Sequence, residues 1–125
     1  METNEITSKI IGIAFKVHSS LGPGLLESSY KECLFYKLGK EGLLVEKEKP
    51  IPLSFEQVKL DCGYRLDLLV ENQVVLELKS VEALHEIHLA QLLTYLKLGG
   101  FKVGLLINFN VVHLKEGIKR VVYHL

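Results

Sequence analysis

The chain has 125 residues, 48% hydrophobic and 24% charged, a globular composition that excludes a disordered polymer and suits one domain with one core. Fifteen basic residues balance fifteen acidic ones. That excludes the basic excess of a tight, non-specific nucleic-acid binder, though not a local basic rim around an acidic site.

No apolar run approaches the roughly eighteen residues of a membrane span, so none is expected. The first residues, METNEITSK, lack the basic-then-apolar pattern of a signal peptide, and a cytoplasmic protein is expected. Cys33 and Cys62 have no metal-type spacing and are expected to be reduced, half-buried packing residues. Residues 4–20 read as a helix, because Ile6, Ile10, Ile13 and Val17 recur at spacings that make one apolar stripe. Thr3 or Asn4 is its expected cap, and "LGPG" at 21–24 its stop. A second helix is expected from Leu25 to Lys40, closed by Gly42. The period then changes. Short apolar or alternating runs predict strands near 43–48, 51–56, 59–70 and 74–79, with Pro50 and Pro52 marking an edge strand or a bulge. Residues 83–98 return to helical spacing and end at Gly99-Gly100. Strands are expected at 102–109 and 118–125. This order of elements predicts a single α/β sandwich on a mixed sheet, spanning residues 1–125.

The stretch "VVLELKS" at 74–80 poses a chemical problem. Val75, Glu77 and Lys79 share one face of an otherwise apolar strand, so two opposite charges project together. Burying charge is costly unless it is paired or binds something. The preceding strand carries Asp67 inside "YRLDLLV", also in apolar surroundings. One account is a cross-strand ion pair. The hairpin register offers another. A two-residue turn at Asn72-Gln73 sets Asp67 opposite Leu78, on the wrong face. A three-residue loop, Glu71 to Gln73, sets it opposite Glu77, with Lys79 two residues along. Two adjacent carboxylates repel. A divalent cation between them removes that objection, and hard oxygen ligands suit Mg²⁺ or Mn²⁺.

Asp67, followed after nine residues by Glu77-Leu78-Lys79, resembles the signature of the PD-(D/E)XK nuclease superfamily. "GLLESSY", with Gly24, Glu27 and Tyr30, resembles the motif of the GxxExxY protein family, a branch of that superfamily. Gln91 and Tyr95 in "AQLLTYL" are similar to a QxxxY element on the helix after the catalytic strand, and "LLINF" at 105–109 resembles the next strand. The proline of "PD" is absent, since Leu66 precedes Asp67. The resemblance spans nearly the whole chain. It implies a restriction-endonuclease-like sandwich, its central mixed sheet flanked by helices.

Read singly, Glu27 and Tyr30 share a helix face, and Tyr30 suits a core aromatic as well as a site residue. His88, Gln91 and Tyr95 form a polar stripe that is either solvated or, as the resemblance implies, aimed across a cleft. His85 and His88 do not make a zinc site, for want of further ligands at suitable spacing.

The expected activity is metal-dependent hydrolysis of nucleic-acid phosphodiesters, of DNA in preference to RNA. Asp67 and Glu77 would hold Mg²⁺, or Mn²⁺ as a substitute, with the Leu78 carbonyl and Glu27 as further ligands. Lys79 would act on the attacking water and on phosphoryl charge, with Gln91 bridging to a phosphate or metal ligand. Tyr30, Tyr95 and His88 would contact substrate or support the site. The alternative is a non-catalytic nucleic-acid- or partner-binding module on the same fold, which the zero net charge favours. One small domain offers one site, so a homodimer or a larger protein partner is expected to complete the nucleic-acid surface.

Overall fold

The computed structural model describes residues 1–124. Helix α1 (Thr3–Leu21) buries the stripe Ile6, Ile10, Ile13, Ala14 and Val17. Its N-cap is Glu2, whose N–H donates to Glu5 Oε1 at 3.3 Å, and not Thr3 or Asn4. Those two side chains are drawn into tertiary contacts. The Thr3 hydroxyl donates to Gln73 Oε1 at 2.8 Å, and Asn4 Oδ1 accepts from the Arg120 guanidinium at 3.0 Å. Helix α2 (Glu27–Lys40) buries Tyr30, Leu34 and Leu38. Their fourfold spacing leaves Cys33 off the stripe. Cys33 is exposed and free, as is Cys62 in a loop, so neither is the packing residue expected.

Strands β1 (Val45–Pro50), β4 (Arg65–Val70), β5 (Val74–Lys79), β6 (Val103–Asn108) and β7 (Ile118–Val122) form one sheet in the order β1-β4-β5-β6-β7. Strands β2 (Leu53–Phe55) and β3 (Val58–Leu60) form a separate two-stranded sheet. The strand expected over 59–70 is therefore two strands. Gly63, at φ +80 in "DCGY", turns the chain between them, and the Tyr64 carbonyl accepts the Ile51 N–H at 2.9 Å. Pro50 ends an edge strand, where its missing N–H leaves no ladder bond unmade. The strand expected over 118–125 runs to Val122, and Leu125 lies outside the described residues.

Helix α3 (Glu86–Gly99) connects β5 to β6, the one parallel pair, and the other neighbours in this sheet are antiparallel. Helices α1 and α2 cover one face through Val70, Val74, Leu76, Leu78, Leu105 and Ile107. Helix α3 covers the other through Leu69, Val75, Leu92, Leu96 and Leu106. The result is the α/β sandwich with a mixed central sheet that the sequence implies. No described helix is long and apolar enough to cross a membrane.

Candidate active site

The β4–β5 loop is Glu71-Asn72-Gln73, with Glu71 and Asn72 in left-handed backbone at φ 53 and 54. Val70 pairs with Val74 and Leu68 with Leu76, which brings Asp67 level with Glu77. The backbone ladder ends there, and the two carboxylates take over its pairing. The Asp67 N–H donates to Glu77 Oε1 at 3.3 Å, and the Leu78 N–H donates to Asp67 Oδ2 at 2.8 Å. The strand also rotates at this point. Leu66 packs on the α3 side and Leu68 on the α1–α2 side, although regular alternation would give them one face.

The pairing of like charges shows in the electrostatics. Glu77 is only 6% exposed. Burial first, then the Asp67 charge, pushes its carboxyl from an ordinary value up to about 9, against the pull of Lys79. Both causes favour the protonated form wherever no bound cation compensates the pair. Lys79 ends β5, half-buried, and its carbonyl accepts the Phe109 N–H at 3.0 Å.

The loop before α2 carries Glu27 to this place. Gly24 has φ +94, a region that disfavours any side chain. The Tyr30 hydroxyl closes the loop by donating to the Gly22 carbonyl at 2.6 Å and accepting the Leu25 N–H at 3.1 Å. The Ser80 hydroxyl ties it to the end of β5 through the Leu25 carbonyl at 2.6 Å. Glu27 therefore opens α2 beside Lys79. As a whole residue it is exposed, yet partial burial of its carboxyl raises its pKa, with Lys79 pulling down and Asp67 pushing up.

Tyr30 itself is fully buried and stacks on Phe109 with ring centroids 4.6 Å apart, so it braces the loop from within the core. Tyr30→Phe keeps the ring and leaves the Gly22 carbonyl and Leu25 N–H without their partner. It is expected to cost about 1–2 kcal/mol, read as a lower urea midpoint at unchanged slope.

On α3, Gln91 is exposed and donates to the Tyr95 hydroxyl at 3.3 Å. Burial raises the Tyr95 pKa, and the Glu77, Tyr64 and Asp67 charges add to it. The His88 Nδ1 accepts the His85 N–H at 3.0 Å, so the two histidines cap α3. Buried Asn108 holds the connection from Lys79 to α3, accepting the Val81 N–H at 3.1 Å and donating to its carbonyl at 3.0 Å.

Sequence reasoning missed Lys31 and Glu48. Lys31 lies one turn after Glu27 on the same face of α2, a spacing that signals it. Its ammonium bonds to Glu48 and lies 3.8 Å from Asp67 Oδ1. Burial opposes its charge, but the Glu48 hydrogen bond and the surrounding carboxylates outweigh that and raise its pKa.

Among the described residues, no three His, Cys, Asp or Glu side chains converge into a ready-made metal cage. The donor set nevertheless suits a hard divalent ion: two adjacent carboxylates, one buried at the expense of its charge, beside an open strand end. Mg²⁺ keeps several waters and takes one or two carboxylates, which is what this pair offers.

No curated protein and no solved structure matches the chain. The family model for the PD-(D/E)XK nuclease superfamily matches residues 4–121. That match runs from the second residue of α1 to the penultimate residue of β7, taking in all but the last residue of the sheet and the acid pair at its centre, and the chain belongs to the PD-(D/E)XK nuclease superfamily.

Proposed function

We propose that this chain is a metal-dependent nuclease that hydrolyses phosphodiester bonds of nucleic acid, DNA in preference to RNA, and that it lies in the GxxExxY branch of its superfamily. The observation that carries this is the level pair Asp67 and Glu77, latched through the Leu78 N–H, with Lys79 on the same strand. Asp67 and Glu77 would hold Mg²⁺ or Mn²⁺, with the Leu78 carbonyl and Glu27 completing the protein ligands. The bound ion supplies Lewis acidity toward the phosphoryl oxygen and a lower pKa for water.

The chain's own groups do the rest. Lys79 orients the attacking water and stabilises charge building on the phosphate. Gln91 and Tyr95, hydrogen-bonded to each other, would present polar atoms to the phosphate from α3. Tyr30 and Ser80 hold the loop that keeps Glu27 in register with Lys79. His88 supports from the start of α3.

The zero net charge supports a second reading, a binding module without turnover. It also supports the proposal that a homodimer or a larger partner supplies nucleic-acid-binding surface, with edge strand β7 offering unpaired backbone. One experiment addresses all of this. The protein is incubated with single- and double-stranded DNA and RNA in Mn²⁺, with its mass followed by light scattering. Cleavage, strongest on DNA and by a species larger than a monomer, is expected. Binding without turnover would favour the module. A monomer that cuts duplex at physiological salt would remove the need for a partner.

A further inference from the structure

Three carboxylates from three strands stand in one row. Lys47 pairs with Leu68 and Lys49 with Leu66, which sets Glu48 level with Asp67, and Asp67 is level with Glu77. Glu48 has φ 56, a left-handed backbone that costs a non-glycine residue roughly 1 kcal/mol. It is also the one residue of β1 between Val45 and Pro50 that leaves the ladder. Regular alternation is thus given up at Glu48, and its carboxylate meets the Lys31 ammonium, which also faces Asp67 Oδ1. The Lys31 and Asp67 side chains are only 16% and 15% exposed, so water does not screen them as it does a surface pair.

We propose that Lys31 is a built-in cation of this site, a positioning residue that occupies the Glu48–Asp67 side of the row and limits the centre to one divalent ion. Four carboxylates, Glu27, Glu48, Asp67 and Glu77, surround two ammonium groups, Lys31 and Lys79. One divalent ion brings the formal sum to zero, and a second would leave an excess positive charge in a partly buried place. Lys31 also keeps Asp67 Oδ1 fixed while Oδ2 is held by the Leu78 N–H, so Asp67 is oriented from both sides.

The inference rests on the reading that Asp67 and Glu77 hold a divalent ion, and the test separates the two. Bound Mn²⁺ per chain is counted by equilibrium dialysis, and low-temperature electron paramagnetic resonance reports whether two ions are spin-coupled. The wild type is expected to bind one ion, without coupling. Lys31→Gln is expected to bind two with a coupled signal, because Glu48 and Asp67 lose their ammonium. Lys31→Arg and the double variant Lys31→Gln with Glu48→Gln are each expected to return to one. Two coupled ions in the wild type would overturn the inference, as would one ion in a Lys31→Gln protein with a native circular dichroism spectrum. Should that variant not fold, Lys31→Met takes its place in the same count, with two coupled ions expected and a single ion overturning the inference. No Mn²⁺ on the wild type would sink the acid-pair reading itself and the inference with it, whereas one ion on both wild type and Lys31→Gln sinks the inference alone.

Discussion

Lys79→Ala is expected to lower cleavage by about a hundredfold to ten-thousandfold while leaving Mn²⁺ binding within a few-fold of wild type. The two lysines of the site differ in how they are engaged. Lys31 is held by Glu48 and Asp67, whereas among the described residues the Lys79 ammonium has no carboxylate within salt-bridge distance. It is half-buried at the end of β5, beside Glu27 and the acid pair, and free to meet a water or a phosphate oxygen. Removing it takes away a donor aimed at developing charge but no metal ligand, so rate and metal affinity should separate. The measurement is single-turnover cleavage beside a Mn²⁺ titration of the same variant. Turnover within about twofold of wild type would exclude the role given to Lys79.

The pairing of Asp67 with Glu77 was legible in the sequence because strand alternation and loop length leave few registers. With three residues between Val70 and Val74, the two acids have to meet. The helices were legible for the same kind of reason, since α1 and α2 bury stripes at helical spacing. The misses have physical causes. A run of residues through 59–70 carries strand-like composition, but Gly63 adopts a left-handed turn and divides it. Thr3 and Asn4 have good capping chemistry, yet Gln73 and Arg120, seventy or more residues away, claim their side chains.

Glu48 was hidden more deeply. "VEKEKP" alternates charge so regularly that no position in it stands out. What brings Glu48 to Asp67 is the left-handed backbone at Glu48 together with the placement of α2 over the sheet edge. Neither is a local property of the strand. The sequence names residue types at fixed spacings within an element, while the approach of α2 to β1 is set by the packing of Leu34, Leu38 and Leu43 in the shared core.

The second large effect concerns stability without metal. Glu77→Gln is expected to raise the stability of the metal-free protein by about 3 kcal/mol at pH 7.5, on the order of 10 °C in Tm. Glu77 is pushed up to about 9 in the folded protein, by burial first and by Asp67 second, from an ordinary 4.5. Between those values the folded state holds a proton that the unfolded chain gives up. The stability that the protonated carboxyl contributes is therefore complete below about pH 4.5 and is lost progressively as pH rises toward 9. Gln keeps the acceptor for the Asp67 N–H and never ionises, so its curve lacks that decline. The gap between variant and wild type should open from about pH 5 and widen up to about pH 9. Saturating Mn²⁺ should then reverse the order, stabilising the wild type by mass action and leaving Glu77→Gln unmoved. Thermal melts across pH in a chelator, repeated with Mn²⁺, check both halves. Parallel curves for the two proteins from pH 5 to 9 would mean that Glu77 is not buried at the cost of its charge, and an equal rise with Mn²⁺ in both would mean that it is not a ligand.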